Sequence, residues 1–482
     1  MPVVPRVLIA LLTLSCPAVT MAVGAPPGTS PAQWKREDII VFREQFLAAD
    51  RSFTPEARAT AEARLSHLER ASESIGPSAF IVELCRIAAL ADNGHTQCLP
   101  TWVGRDICEQ ATAIVGTKSP ACHFQNPDRE VPDFKTVPIA FYPFGEEYNV
   151  IGVGAKDSNL LGSRLVSVEN QSIKTIRAKL RTFSGGTLAL RDLRAATVLA
   201  SPEQLHAAGL SSRNDSVLYE FATAGGRTIK RRFALARQPE KPMTWRELPA
   251  ADRAPWAFQE PGKPFRYRDA PEINGLVVQL RQNLDRNNQK MADFLQGAET
   301  KRETLGRKNV VLDMRFNGGG NFWLTRDFFV RWPARIPGRF FVLTSRQTLS
   351  AAIATIAYLK QAGTNRVSII GEPVGDRLMF FSDGLPIQLP HSGRFFLPAV
   401  ARMDYRDGCR EYDDCMEAVA QPGRPTATTL LPTPTPLERL PISVATLEPD
   451  VLAPWTIDSW LTGKDPMMDA VTTLIDGNPD NI

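Results

Sequence analysis

The sequence predicts a mixed α/β protein whose C-terminal half is a mostly parallel sheet with helices on its faces. Three observations carry this reading. From Tyr267 onward, β-type runs alternate with helical patterns: "INGLVVQLRQN", "NVVLDMRF", "RFFVLTS" and "VSIIGEP" read as strands. Between them, "KMADFLQGAETKRETL", "FWLTRDFFVRW" and "SAAIATIAYLKQAG" read as helices. Alternation at this spacing calls for crossover helices and hence parallel pairing. Upstream, from about Val131 to Leu235, the pattern is instead one of short β-type runs. Further upstream still, from about Pro31 to Leu99, apolar residues recur at three- and four-residue spacing, which is helical.

Each region has its own signals. "SPAQWKREDIIVFREQFLAAD", "TPEARATAEARLSHLERASES" and "PSAFIVELCRIAALAD" each open on Ser, Thr or Pro, ordinary helix starts, and the third stops at "DNGHT", where Gly94 suits a C-terminus. In the middle region "VPIAFYPF", "YNVIGVGA" and "SRLVSVEN" read as strands, and "SVLYEFAT" with "GGRTIKRRFAL" as a hairpin. One helical interruption is expected near "SPEQLHAAGL". The expected division is a helical domain over 30–125, a small β-rich domain over 131–236, a Pro- and charge-rich linker over 237–264, and an α/β domain over 265–482 carrying an exposed insertion at 405–440.

Composition narrows the function classes. The 482 residues are 43% hydrophobic and 22% charged with a net charge of +4, an ordinary globular balance. No basic patch interleaved with aromatics argues for nucleic acid, and no glycine-rich loop with its lysine argues for a phosphate-binding site. Residues 1–22 have the shape of a secretory signal: Arg6, an apolar run from Val7 to Leu14, then small residues with Thr20-Met21-Ala22 as a cleavage site. The run falls short of the roughly 20 residues a membrane span needs. Cys16 after "LTLS" fits a lipoprotein signal poorly. The expectation is an exported, periplasmic or extracellular protein without stable membrane insertion. Six cysteines remain, Cys85, Cys98, Cys108, Cys122, Cys409 and Cys415, an even number that suits disulfides in an exported chain. Their clustering favours local bridges among the first four and a Cys409–Cys415 loop. No CxxC pair exists, so no metal is expected.

Two strand ends attract attention because sites in open α/β sheets lie at carboxyl ends of strands. "NVVLDMRF" runs straight into Gly318, Gly319 and Gly320, where bare amides can donate to a developing negative charge. Ser350 falls at the next strand-to-helix junction, with Ala351 and Ala352 opening the helix. The plainer reading of Ser350 is a helix N-cap, and of the glycines a tight turn. A serine nucleophile needs a base. Of five histidines, His67 reads as surface, His206 as packing, and His123 and His391 as loop residues. His95 differs, since "ADNGHT" sets it just past a helix end among polar neighbours, a place where a helix C-terminal dipole also favours histidine.

At this point the residues match a known pattern. "LDMRFNGGGN" resembles the strand-and-glycine segment of the tail-specific (C-terminal-processing) serine peptidases, and "TLSAAIATIAYLKQAGTNRVSIIGEPVGD" resembles their nucleophile helix and following strand. "LADNGHT" is similar to the "DGHT" segment of the tricorn-like branch. "LEPDVLAPWTIDSWLTGKDPMMDAV" is similar to the tail of bacterial members, and "FYPFGEEYNVIGVGAKDSNLLGSRLVSV" to the middle segment of exported relatives. The resemblance runs from about residue 80 to the end, apart from the insertion. It implies a crotonase/ClpP-like peptidase domain, and it admits a PDZ-like identity for the β-rich domain, although no GLGF-like loop appears there. It further implies Ser350 as nucleophile, His95 as general base, and oxyanion-hole amides from Ala351 and one glycine of the run, Gly319 or Gly320, with Gly319 preferred. It implies no metal or organic cofactor and a peptide or protein substrate.

The chain also departs from the family. The Ser–Lys branch carries a lysine just after "GEPTFG"; here the stretch is "GEPVGDRL", with Asp376 or Arg377 near that place. Arginine stays protonated and is a poor base, so a Ser–His mechanism is favoured. The residue before the histidine is Gly94 rather than Ser or Thr, and Ile353 follows "SAA" where relatives carry a polar residue. The family's late carboxylate has two candidates, Asp404 and Glu448. Two rival functions follow: a catalytically inactive peptide- or ligand-binding protein on the same fold, and another acyl hydrolase, whose usual G-x-S-x-G elbow is absent.

Overall fold

The computed structural model describes residues 30–115, 127, 131–236, 244–286, 289–406, 416–418 and 442–477. The N-terminal region begins with helices set by local chemistry. Pro31, Pro55 and Pro77 each occupy a first turn, where a missing N–H costs nothing. The Ser30 and Thr54 hydroxyls cap the first two of these helices, Pro31–Val41 and Pro55–Arg70. The third, Pro77–Ala88, buries Phe80, Ile81, Leu84 and Ile87 along one face. A fourth helix, Thr101–Val115, follows the short strand Gln97–Leu99.

This region does not close on itself as a separate domain. Gln97–Leu99 pairs antiparallel with Phe395–Leu397, and Ile387, Leu389 and Phe396 complete the core formed by Phe42, Phe46, Leu65, Phe80 and Leu84. The expected boundary at 125 therefore separates residues that share one core. A disulfide joins Cys85 to Cys98. Cys108 is also disulfide-bonded. Residues 1–22, Cys122, His123, Cys409 and Cys415 lie outside the described residues.

The middle region is a seven-stranded antiparallel sheet. Its main path runs Ile139–Phe144, Glu147–Gly154, Arg164–Val168, Ser216–Ala222 and Thr228–Ala234, and the last two form the expected hairpin. Two findings correct the sequence reading. Trp245–Glu247, inside the expected linker, pairs with Glu147–Gly154 and belongs to this sheet. Helices Ile173–Leu180 and Leu188–Leu199 join the expected Pro202–Ala207, so helix and sheet are interleaved here. Ser172 and Thr187 cap the two additional helices.

The C-terminal region alternates as expected. Its strands are β1 (Phe265–Ala270), β2 (Gly275–Leu280), β3 (Asn309–Asp313), β4 (Phe340–Thr344), β5 (Val367–Gly371) and β6 (Val451–Leu452), in the spatial order β6-β5-β4-β3-β2-β1. All neighbours are parallel except β1, which pairs antiparallel with β2. Strands buried on both faces suit their unbroken apolar runs. Helices Met291–Thr304, Trp323–Arg331 and Ala351–Gly363 pack on one face, around Leu295, Phe329 and Ile356. The other face shares a core with the middle region, in which Tyr142, Ile151 and Leu193 meet Val311, Phe341, Trp455 and Trp460. Within the expected insertion, Met416–Ala418 pairs with the strand Ala401–Asp404. Among the described residues no helix is long and apolar enough to cross a membrane.

Candidate active site

Three adjacent parallel strands, β3, β4 and β5, deliver their carboxyl-end loops to one edge of the sheet. After β3 come the glycines, after β4 comes Ser350, and after β5 comes Asp376. Ser350 sits at the N-cap position of helix Ala351–Gly363, yet its side chain makes no capping hydrogen bond. Its backbone is at φ 59° and ψ −127°, a region that L-residues avoid and that collects at functional sites. The surroundings hold it there. Leu349 N–H donates to the Asn317 carbonyl at 3.0 Å, the Gly375 N–H to the Thr348 carbonyl at 2.8 Å, and the Thr348 hydroxyl to the Met314 carbonyl at 2.9 Å. Arg346, just upstream, forms a buried pair with Glu372 at 2.9 Å.

The glycine run answers to three different environments. A Cβ on Gly319 (φ 109°) would lie 2.5 Å from the Ser350 Cβ, and one on Gly320 (φ 133°) 2.5 Å from the Asn283 carbonyl oxygen. A Cβ on Gly318 meets nothing within 4 Å. Gly319 is thus bare because the serine lies against it. Its amide, however, already donates to Asn317 Oδ1 at 2.9 Å. The amides of Gly320 and Ala351 have no such partner among the described residues, and both residues line one pocket with Ser350. The structure therefore shifts the preferred glycine donor from Gly319 to Gly320.

Beneath these loops lies a buried polar network. Asn317 Nδ2 donates to Asn283 Oδ1 at 2.7 Å, while Asn283 Nδ2 reaches Thr355 Oγ1 at 2.9 Å and Thr325 Oγ1 at 3.1 Å. Thr355 in turn donates to the Ala351 carbonyl at 2.8 Å. The network joins the glycine loop to the first turn of the serine helix through fully buried, satisfied groups, an arrangement that rigidifies. Polar Asn283, Thr325 and Thr355 in otherwise apolar stretches were the available sequence signal.

His95 arrives from the far end of the chain, on the loop bracketed by the Cys85–Cys98 disulfide. Asn93 fixes that loop to strand Met379–Ser382, its side chain donating to the Phe381 carbonyl at 3.0 Å and accepting from the Phe381 N–H at 3.1 Å. Thr96 anchors the other side, donating to Asp50 Oδ2 at 2.7 Å. The His95 ring stacks on Phe380, with centroids 5.0 Å apart and planes 10° from parallel. Phe380 lines the same pocket as Ser350. The nearest carboxylate is Asp376, with its Oδ2 3.5 Å from His95 Nδ1 and its side chain 1% exposed. A Cβ on Gly94 would stand 2.4 Å from that oxygen, so the glycine before the histidine is what admits the aspartate.

The acid candidates read from the sequence are elsewhere. Asp404 holds Arg402 and accepts the Arg406 amide, and Glu448 is exposed. His67 is exposed as expected. His206, expected to be packed, is exposed too, with Nδ1 2.9 Å from the Ser211 carbonyl oxygen. His391 pairs with Glu37. Arg377, in the place of the family's lysine, pairs with Asp92 at 2.9 Å. Among the described residues no group of His, Cys, Asp or Glu is arranged to hold a metal. The pocket beside Ser350 is walled by Phe322, Trp323, Phe380, Met403 and Tyr405, an apolar cleft with bare amides at one end.

No protein family and no curated protein matches the chain by sequence. Its fold does have solved counterparts. Mature CPAF superposes with a TM-score of 0.53 at 11% identity, covering 93% of this chain and 99% of that one. Mature CPAF complexed with lactacystin gives 0.53 and 11%, covering 92% and 100%. The photosystem II D1 C-terminal processing protease matches over 94% of this chain and 99% of its own, at 13% identity and a TM-score of 0.35. The chain therefore shares the fold of CPAF over nearly its whole described length.

Proposed function

We propose that this chain is an exported serine peptidase of the tail-specific group, working through a Ser350–His95 pair with Asp376 as the orienting acid. The observation that carries the reading is Ser350 itself. It occupies a cap position without capping, in a strained backbone conformation, beside two unpartnered amides in an apolar pocket. A serine serving only as an N-cap would have extended backbone and a bonded hydroxyl.

In this mechanism the Ser350 Oγ attacks the scissile carbonyl carbon while His95 accepts the hydroxyl proton. The carbonyl oxygen becomes an oxyanion held by the Gly320 and Ala351 N–H groups. One such donor is worth about 3 kcal/mol in other hydrolases. As the C–N bond breaks, His95 returns the proton to the leaving amine. Water then attacks the acyl-enzyme, His95 takes its proton, and the peptide acid departs as Ser350 Oγ is reprotonated. Asp376 fixes the imidazole orientation and stabilises its protonated form. The two His95 ring nitrogens make no hydrogen bond in the free structure. The site therefore tightens when substrate enters, as apo hydrolase sites commonly do.

That same open geometry favours a second reading, a peptide-binding protein on this fold that cleaves nothing. Incubation of the mature protein with an unfolded protein mixture separates the two. New peptide termini that disappear in Ser350→Ala support the peptidase. Peptides retained intact by both proteins support the binder and sink the catalytic assignment.

A further inference from the structure

Four buried polar atoms around Asp376 lack a hydrogen bond: Nδ1 and Nε2 of His95, Oδ2 of Asp376 and Nη1 of Arg194. Buried polar atoms are nearly always partnered, so four in one neighbourhood need an explanation. Arg194 belongs to the middle region, on helix Leu188–Leu199, and its Nη2 donates to the Gly94 carbonyl at 2.7 Å. Three stretches remote in sequence thus bring a cation, a carboxylate and an imidazole together. The same helix end grips both loops, through Thr187 Oγ1 on the Gly375 carbonyl at 2.9 Å and Arg191 on Asp92.

The remaining charges here have partners. Asp92 is held by Arg191 and Arg377, and Asp50, beneath Thr96, accepts from Ser52, Thr96 and the Ala399 amide. Arg194 alone directs an unpartnered N–H group into the cluster. Burial lowers its pKa to about 10 against the opposing pull of Asp376, so it remains a cation at neutral pH.

We propose that Arg194 is a positioning residue whose charge keeps Asp376 ionised while holding His95 unprotonated, ready to act as a base. With the guanidinium present, ionised Asp376 and neutral imidazole form an electrically balanced set. Without it, the balanced set is carboxylate plus imidazolium, and His95 gains a proton more readily. The consequence for catalysis rests on the peptidase reading, but the charge arrangement does not.

The test is a histidine-labelled NMR titration of the whole mature chain, with the His95 signal assigned through His95→Gln. Arg194→Met is expected to raise the His95 pKa by about one unit, and Arg194→Lys to restore it. An unchanged His95 pKa in folded Arg194→Met overturns the proposal. If Met at this position prevents folding, Arg194→Gln supplies the neutral variant. In peptide turnover the acid limb of kcat/KM is expected to move up by the same amount, with KM unchanged. Turnover with an unshifted limb also overturns the proposal. A shifted His95 pKa in a protein that cleaves nothing supports it and overturns the peptidase reading instead.

Discussion

Replacing Ser350 by glycine is expected to stabilise the protein while removing its reactive hydroxyl. At φ 59° and ψ −127° an L-residue pays about 1–3 kcal/mol of backbone strain that glycine avoids. Glycine's extra freedom in the unfolded chain returns roughly 0.5–1 kcal/mol of that. The hydroxyl makes no capping bond, so its loss subtracts little. The net expectation is a gain of about 1 kcal/mol for Ser350→Gly. Ser350→Ala keeps its Cβ and the strain, and is expected to stay close to the parent. Urea denaturation of the three proteins, followed by tryptophan fluorescence, measures the difference directly. The Gly–Ala comparison isolates the backbone, because both variants lack the hydroxyl. A glycine variant less stable than the alanine variant, at equal m-value, would refute the claim that the nucleophile is held under strain.

Other outcomes follow from single contacts. Gly94→Ala drives a Cβ into the Asp376 carboxylate; peptide turnover is expected to fall at least tenfold through kcat, with circular dichroism unchanged, and parent-like kcat would contradict the His95–Asp376 assignment. The Cys85–Cys98 bridge, with a sequence separation of 13, brackets the His95 loop. Double replacement by alanine is expected to cost about 3 kcal/mol in urea unfolding, and an undiminished midpoint would show that the loop needs no staple. Burial raises the Asp38 carboxyl up to about 6, despite the His391 and Ser392 N–H groups it accepts. The folded chain therefore holds a proton that the unfolded chain has lost, and this contribution to stability, present below about pH 4, disappears as pH rises to about 6. Asp38→Asn is expected to flatten the loss of stability across that window, and an identical pH profile would count against it.

What the sequence made legible was local. Ser350, the glycines and His95 each stand where a strand or helix ends, so their exposure follows from chain punctuation and alternating periodicity. The orienting acid was harder, because Asp376 reaches His95 only through the adjacency of β4 and β5 and the space left by Gly94. Asp404 and Glu448 were selected by position along the chain, which carries no information about that packing. Choosing Gly320 over Gly319 required knowing that the Asn317 side chain already occupies the Gly319 amide. The helical region was misjudged as self-contained because Phe396 and Ile387, which complete its core, lie some 300 residues away in sequence. Helices Ile173–Leu180 and Leu188–Leu199 carried legible caps at Ser172 and Thr187, but the β-type runs around them dominated the pattern.

The most direct test of the account is where a fluorophosphonate reacts. After labelling of the folded mature protein and trypsin digestion, the adduct is expected on Ser350, in the peptide running from Gln347 to Lys360, and to be absent from Ser350→Ala. An adduct on another serine that survives the Ser350→Ala substitution, or none on a protein shown to be folded, would contradict Ser350 as the nucleophile.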